Sequence, residues 1–280
     1  MNKRKTGRLW LMLGVLATIL PAGDRVGSAA TICGRFIFYN GSYYDGNNPS
    51  ANIQDDSAIA PDKTPLLPGD KATFVSYTSY YHGINGIMID ILGLPATPTA
   101  SDFAFHVGNW TDTGIWLPAP AVPLISVRAG AGVGGSDRIT LLWPDNAIQK
   151  EWLQVAVWPT ANTGLPTKDV FYWGNAIGDT GGGNTPDVAI VNVADYNEVV
   201  NNPHILLNPA SIIDQCDFNR DRLVNDTDLN IVMQNGTSAL NGLQLMTLGD
   251  NVAPEPATLS LLALGGLALL RRKRASQGKR

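Results

Sequence analysis

Apolar residues between positions 32 and 173 come in short runs that Gly, Pro, Asn and Asp separate. The runs are four to seven residues long and rich in Ile, Val, Phe, Tyr and Trp, a pattern typical of β-strands. The predicted strands are residues 35–39, 72–77, 86–91, 103–107, 124–127, 138–143, 152–158 and 170–173. No window of twelve residues in this part keeps a helical period, so we expect a mainly β fold.

Alternation along the run 152–158 predicts how one strand is buried. Leu153, Val155 and Val157 are apolar, whereas Gln154 lies on the opposite face of the strand. This pattern is typical of an antiparallel sheet with one buried and one exposed side. Stacking two such sheets buries both apolar faces. We therefore predict a two-sheet β-sandwich of Ig-like or jelly-roll type for residues 31–175, which we call the trunk.

Residues 1–30 are predicted to be a secretory signal peptide with a helical apolar centre. The first eight residues include four basic ones, residues 9–20 are a run of twelve apolar positions, and residues 28–30 offer small side chains for cleavage. A permanent membrane anchor needs about 20 apolar residues, and Pro21 and Asp24 end this run too early.

Residues 254–280 combine three features in a fixed order. Pro254-Glu255-Pro256 precedes a 14-residue apolar stretch, 257–270, and the basic cluster 271–274 follows at once. This order resembles the PEP-CTERM sorting signal of bacterial surface proteins. The resemblance implies a short apolar helix that anchors the chain transiently in the membrane, until an exosortase-type enzyme processes it and leaves the protein at the cell surface or in the extracellular matrix. A short membrane tail is the alternative, and it too places the body outside the cytoplasm.

Charge is unevenly distributed along the chain. The 20 basic and 24 acidic residues include 11 basic and two acidic residues within 1–30 and 254–280, so 9 basic and 22 acidic residues remain between them. The body therefore carries a net charge of about −13. Such an acidic body repels phosphate backbones, which excludes nucleic acid as the expected partner and favours cations or neutral ligands.

Cys33 and Cys216 are the only two cysteines. In an exported protein two cysteines can form one disulfide, but two buried free thiols would give the same sequence. Both alternatives stay open at this level.

The residues expected of a hydrolase or a zinc enzyme are missing or scattered. Glycoside hydrolysis needs two paired carboxylates, and the body has only Glu151 and Glu198 as glutamates, in unlike segments. Zinc needs closely spaced ligands, which His82, His106 and His204 do not provide, and no Gly-x-Ser-x-Gly elbow is present. We therefore predict a non-catalytic protein.

Two further trunk motifs are interpreted as loops. Residues 130–135 fit the Gly-x-Gly-x-x-Gly string of dinucleotide sites, but a predicted strand follows them where such a site needs a helix. Asn and Asp residues between positions 45 and 62 are interpreted as residues that cap their own turns.

Carbohydrate binding or hydrolysis is the alternative function, because exposed aromatic rings can stack against sugars. Large aromatic side chains are more often part of a core. The aromatic residues in question are Tyr43, Tyr44, Tyr77, Tyr80, Tyr81, Trp110 and Trp116.

The strongest chemical pattern is the twelve-residue stretch 217–228. Side-chain oxygens occupy positions 1, 3, 5, 9 and 12 and a backbone carbonyl serves position 7, the spacing with which a loop coordinates Ca²⁺. The predicted calcium ligands are Asp217, Asn219, Asp221, Leu223 by its carbonyl, Asn225 and Asp228. A helix over 228–234 is expected to follow. Position 6 is Arg222, where Gly normally takes a positive φ, and we expect a cost of about 1 kcal/mol there.

This pattern and its following helix resemble one repeat of a type I dockerin, a small helical, EF-hand-like calcium module with two such repeats. Residues 191–202 match residues 224–235 at six of twelve positions, which indicates an internal repeat with a period of 33 residues. The resemblance implies a dockerin-like repeat pair over residues 176–250, and a cohesin-like protein or an extracellular polysaccharide as partner. Loop positions 10 and 11, which help dockerins recognise cohesin, depart from the usual small hydroxyl pair.

The first repeat is predicted to be a weaker second calcium site. Counting back from its helix puts positions 1, 3 and 5 on Asn184, Pro186 and Val188, which is a poor ligand set. An insertion within residues 181–183 would bring other oxygens into place. The candidate ligands are then Asp179, Asn184, Asp187, Asn192 and Asp195. No Pro-rich or Ser-rich linker precedes this segment, so we expect the repeats to pack on the trunk.

The trunk also resembles a module that precedes such repeats in bacterial PEP-CTERM proteins, notably in residues 36–40, 85–91 and 143–148. Together these patterns predict a non-catalytic exported protein with a calcium-stabilised repeat pair.

Overall fold

The computed structural model describes residues 29–249. The predicted C-terminal apolar helix lies outside these residues, as does the predicted signal peptide except for Ala29 and Ala30. The strands are β1 Thr31–Ile37, β2 Tyr77–Thr78, β3 Gly86–Leu92, β4 Phe103–Gly108, β5 Leu117–Pro118, β6 Leu124–Arg128, β7 Asp137–Leu142, β8 Trp152–Val157, β9 Asp169–Asn175, β10 Val188–Ala189 and β11 Leu243–Gln244. The α-helices are α1 Val193–Asn201 and α2 Asp226–Gln234.

The long strands form two sheets. The first has the order β1-β3-β7-β6 and is antiparallel throughout. The second has the order β2-β9-β8-β4-β5, in which only the short strand β2 runs parallel to its neighbour. The two-residue strands β10 and β11 pair with each other. The prediction of a mainly β fold is confirmed for the described residues.

One hydrophobic core joins the two sheets. Ile87, Ile89 and Ile91 of β3 belong to the same buried cluster as Val155 and Val157 of β8, and all five side chains are fully buried. Burying a side chain of this size contributes about 1.5–3 kcal/mol, so this shared core is a major source of stability for the trunk. The inward positions on β8 are the ones that the alternation predicts.

The outer face of the second sheet is also covered, and the prediction that it faces solvent is wrong. Trp152 and Tyr172 on this face pack in a second buried cluster with Leu243, Leu245 and Met246 from the end of the described chain. The Trp152 ring nitrogen donates a hydrogen bond of 2.9 Å to the carbonyl of Gln244. The C-terminal part of the chain therefore supplies a third layer over this sheet.

Seven of the eight predicted strands coincide with β1, β3, β4, β6, β7, β8 and β9. The prediction for 72–77 is wrong, because a 3-10 helix spans Phe74–Ser76 and β2 begins only at Tyr77. Ala72 and Tyr77 are buried in the second cluster. The segment 72–77 is apolar because it covers the second sheet, although it is mostly irregular.

The segment after the trunk, residues 176–249, contains the two helices of the repeat. Val191 and Val199 of the first repeat and Val224 and Val232 of the second share a third buried cluster. Backbone hydrogen bonds fasten this segment to the trunk, for example from Ala176 N to the Thr78 carbonyl at 2.8 Å. The expectation that the repeats pack on the trunk is confirmed. No helix within residues 29–249 is long and apolar enough to cross a membrane.

Candidate functional site

The predicted calcium loop, residues 217–228, closes on itself through its last residue. Asp228 accepts a hydrogen bond from Phe218 N at 2.9 Å with one carboxylate oxygen and from Asn225 N at 3.0 Å with the other. The Asn225 side chain in turn accepts from Thr227 N at 2.7 Å. This reciprocal pair is a capping box, and it explains why α2 begins at Asp226, two residues before the predicted start.

The first residue of the loop is a buried carboxylate. Asp217 is fully buried and accepts hydrogen bonds from Asp221 N at 3.1 Å and from Arg222 N at 2.9 Å. Asp221 accepts from Leu223 N at 2.8 Å and from the Asn219 side-chain amide at 2.9 Å. The predicted ligands of positions 1, 3 and 5 therefore lie in one compact turn.

Burial changes the acidity of the carboxylates at both ends of the loop. Burial raises the pKa of Asp217 to about 7; Arg220 opposes the rise and Asp228 adds to it. Burial likewise raises the pKa of Asp228 to about 6, and its backbone hydrogen bonds oppose this rise. Two buried carboxylates close enough to affect each other are stabilised by a cation between them.

The backbone of the loop has the bend that calcium loops need at position 6. Arg222 takes a φ of +72°, as the sequence predicts for the position where Gly is usual. Its guanidinium lies 4.9 Å from the centre of the Tyr43 ring and donates a hydrogen bond of 3.3 Å to the Tyr43 hydroxyl. A trunk aromatic thus contacts the side chain of the strained residue.

Arg220 attaches the loop to the trunk, a role that the sequence does not reveal. Its side chain is 2 % exposed, and the guanidinium lies 4.3 Å from the centre of the Tyr39 ring and 3.1 Å from the Tyr39 hydroxyl. A second guanidinium nitrogen donates to the Asp214 carbonyl. The carbonyl of Arg220 accepts a hydrogen bond from Tyr43 N at 3.1 Å.

The first repeat has the same capping geometry as the second. Asp195 accepts from Asn192 N at 2.7 Å and from Thr180 N at 2.8 Å, as Asp228 accepts from its own cap residue and from Phe218 N. The backbone angles at the two cap residues agree within 1°. The internal repeat is therefore a structural repeat, in which Thr180 corresponds to Phe218 and Asp179 to Asp217.

This correspondence locates the candidate ligands of the first repeat. Asp179 and Asp195 are fully buried, and the Asn184 amide lies 3.1 Å from the Asp179 carboxylate. Asp187 lies apart from them at the surface and pairs with Lys71 at 3.0 Å. Fifteen residues separate Thr180 from Asp195, against ten in the second repeat, which is the insertion that the sequence suggests.

The motifs interpreted as loops have structural roles. Asp55 is fully buried and forms a capping box with Asn52 at the 3-10 helix Ile53–Ala58. The glycine loop 130–135 connects β6 to β7, and its Val133 N donates to Asp90 at 2.8 Å. These observations confirm the interpretation of both segments.

Three of the seven aromatic candidates for sugar stacking are buried, two are exposed, and Tyr44 and Tyr81 are partly buried. Tyr77, Tyr80 and Trp116 are buried, while Tyr43 is 51 % and Trp110 is 63 % exposed.

The two cysteines are free: Cys33 is exposed on β1 and Cys216 is buried in the third cluster.

A cluster of protonatable ligands is not found in the described chain. Within residues 29–249, no set of three or more His, Cys, Asp or Glu side chains is arranged to hold a metal ion. The predicted calcium shell contains three such carboxylates, Asp217, Asp221 and Asp228, and the structure does not gather these three as a ligand set. Two asparagine amides and one backbone carbonyl make up the rest of the predicted shell.

Comparison with known proteins identifies the C-terminal end of the chain. Residues 252–274 match the family model of the PEP-CTERM protein-sorting motif. The motif indicates an exported, cell-surface-sorted protein that an exosortase-type enzyme processes. No curated protein and no solved structure matches the chain.

Proposed function

We propose that this protein is a non-catalytic cell-surface or extracellular-matrix protein whose second repeat binds one calcium ion and thereby holds the repeat segment firmly on the trunk. One observation carries the proposal. Asp217 and Asp228, at the two ends of a loop with calcium spacing, are fully buried and accept hydrogen bonds from backbone N–H groups alone. The Arg220 guanidinium lies near Asp217, but neither of these buried carboxylates accepts a hydrogen bond from a charged side chain, and this favours a further cation.

The residues of the loop fit the coordination chemistry of calcium. A carboxylate oxygen that accepts one hydrogen bond keeps a second lone pair for a metal. Asp217, Asp221 and Asp228 offer such oxygens, and the amides of Asn219 and Asn225 and the carbonyl of Leu223 complete a set of six. When bound, Ca²⁺ supplies positive charge that offsets the repulsion among the three carboxylates.

The contacts of the loop explain how ion binding would stabilise the whole segment. Phe218 lies beside Asp217, and its carbonyl accepts a hydrogen bond from the trunk residue Tyr81 at 3.0 Å. At the other end, Asp228 caps α2. A ligand that orders the loop therefore fixes both the trunk contact and the start of the helix. An ion present at a hundredfold above its Kd adds about 2.7 kcal/mol to the free energy of unfolding.

The expected partners have unequal support. The sorting motif supports an exosortase-type enzyme and transient membrane association through the C-terminal segment. A cohesin-like protein or an extracellular polysaccharide is proposed only from the dockerin resemblance. A carbohydrate-active protein is the weaker alternative, since Tyr77 and Tyr80 are core residues and are not available for sugar stacking.

Thermal unfolding in calcium and in chelator tests the proposal. Calcium is expected to raise the Tm of the purified protein by several degrees, and Asp217→Asn to abolish this increase. Asp112→Asn, on an exposed turn of the trunk, is the matched control and should keep the full response. A Tm that is equal in calcium and in chelator would refute the proposal.

A further inference from the structure

The two repeats share a backbone, but their leading carboxylates meet different partners. Asp179 and Asp217 are equivalent, and both are fully buried. Each receives backbone N–H groups, from Gly181 at 2.9 Å for Asp179 and from Asp221 and Arg222 for Asp217. The difference lies in the side chains that surround them.

Side-chain donors fill the first repeat. The Tyr77 hydroxyl donates a hydrogen bond to Asp179, and the Asn184 amide donates to the same carboxylate oxygen at 3.1 Å and to the Tyr77 oxygen at 3.0 Å. The Thr180 hydroxyl donates to Asp195 at 2.8 Å. Three side chains therefore direct hydrogen atoms at the two carboxylates of this repeat.

The second repeat has no counterpart of these donors. Phe218 stands where the first repeat has Thr180, so the carboxylate of Asp228 receives no hydroxyl. Every hydrogen bond that Asp217 accepts comes from the backbone of its own loop. The lone pairs that the first repeat commits to hydrogen atoms are thus free for a cation in the second.

The first repeat also lacks the acceptors that a cation needs. The side-chain oxygen of Asn184 accepts a hydrogen bond from Ile190 N at 2.6 Å, which leaves its amide group toward Asp179. Ca²⁺ needs six to eight oxygen ligands, and donors at this position repel it. Hydrogen bonds to a charged acceptor are stronger than those between neutral groups, so they can offset the burial of a carboxylate without a metal.

We propose that the Tyr77 hydroxyl, together with the Asn184 amide, takes the place of the ion in the first repeat, so that this repeat folds without calcium and the chain binds a single ion. The count of one ion rests on the calcium site proposed for the second repeat, whereas the role of Tyr77 does not. Tyr77 belongs to β2, which pairs with β9. The trunk itself therefore holds the first repeat in place.

Calcium titration calorimetry on equivalent substitutions tests this asymmetry. The wild type is expected to bind one ion. Asp179→Asn should keep this stoichiometry with an affinity within twofold, whereas Asp217→Asn should lose at least tenfold in affinity. Two ions in the wild type and one in Asp179→Asn would overturn the inference.

Thermal unfolding of Tyr77→Phe tests the tyrosine independently of any calcium binding. The substitution leaves a buried carboxylate short of one donor, so the Tm should fall by about 5 °C, equally in calcium and in chelator. Tyr172→Phe is the control, because the Tyr172 hydroxyl contacts only neutral groups such as the Gln154 amide at 2.8 Å. The Tm of Tyr172→Phe should fall by less than that of Tyr77→Phe. An unchanged Tm for Tyr77→Phe would overturn the inference. A wild type without any calcium heat would refute the calcium site alone, and the Tyr77→Phe melt would still decide the role of the tyrosine.

Discussion

At the scale of single residues, the loop 217–228 contains two arginines with left-handed backbone, Arg220 at a φ of +57° and Arg222 at +72°. An L-residue in this region costs about 1–2 kcal/mol. The spacing of the calcium loop predicts the bend at Arg222. The burial of Arg220 against Tyr39 could not be predicted, because it depends on a contact between residues 181 positions apart.

The strain at Arg222 is measurable by comparing Arg222→Gly with Arg222→Ala. Both substitutions remove the contact with Tyr43, so their difference isolates the backbone. Glycine adopts a positive φ without a Cβ penalty, and we expect Arg222→Gly to be about 1 kcal/mol more stable than Arg222→Ala. Denaturant unfolding in chelator measures this difference. Equal stability of the two variants would show that the bend is unstrained.

Glu151 predicts a pH dependence that is separate from the loop. Burial raises the pKa of Glu151 from 4.5 to about 7. Between these values the folded state holds a proton that the unfolded state has lost, so Glu151 makes stability fall as the pH rises from about 4.5 to 7. Glu151→Gln should therefore have the higher Tm at pH 8 and nearly the wild-type Tm at pH 4.

Glu198→Gln is the matched control for this measurement, because Glu198 is exposed on α1. The Tm of Glu198→Gln should change with pH in the same way as the Tm of the wild type. A Glu151→Gln variant that also follows the wild type at pH 8 would contradict the assignment.

At the scale of elements, α1 and α2 begin with the same capping box. The six identities between the repeats predict their equivalence, and the helix boundaries follow from the two asparagine caps. The sequence also suggests an insertion within residues 181–183, and the structure gives its size, because Thr180 and Asp195 are 15 positions apart and their counterparts Phe218 and Asp228 are 10 apart. The sequence did not predict that residues 243–248 cover the second sheet, because they lie far from it along the chain. The apolar residues Trp152 and Ala156 on the outer face of the sheet were a sign that this face is covered.

The two caps give a matched pair of substitutions. Asn192→Ala removes a cap and should lower the free energy of unfolding by about 1 kcal/mol, equally in calcium and in chelator. Asn225→Ala removes a cap and a calcium ligand, so it should lower the free energy of unfolding by about 1 kcal/mol in chelator and by more in calcium. Denaturant unfolding under both conditions measures the four values. The same loss for Asn225→Ala in both media would remove Asn225 from the calcium shell.

At the scale of the whole molecule, the C-terminal motif indicates an exported protein, and the acidic body argues against nucleic acid as a partner. The net charge of about −13 lies between two basic ends, and the PEP-CTERM motif covers residues 252–274. The order of Pro-Glu-Pro, apolar stretch and basic cluster was sufficient to predict this motif. The sequence left the state of the cysteines open, and the structure has them free, with Cys33 exposed and Cys216 buried.

Sorting is predicted to depend on the short Pro-Glu-Pro sequence. Replacing Pro254, Glu255 and Pro256 by alanine should leave the full-length chain in the membrane fraction, because the processing enzyme no longer recognises it. Immunoblots of membrane and extracellular fractions measure this outcome. Ser276→Ala with Gln277→Ala, beyond the basic cluster, is the control and should be processed normally. Normal processing of the alanine variant would contradict the role of the motif.

Hydrogen exchange in calcium and in chelator tests the central claim most directly, because it locates the response along the chain. We predict that calcium slows amide exchange in residues 217–235 and leaves the central strand β7 of the trunk unchanged. Asp217→Asn should show no such change. Exchange that is identical with and without calcium, or protection confined to the trunk, would contradict a calcium site in the second repeat.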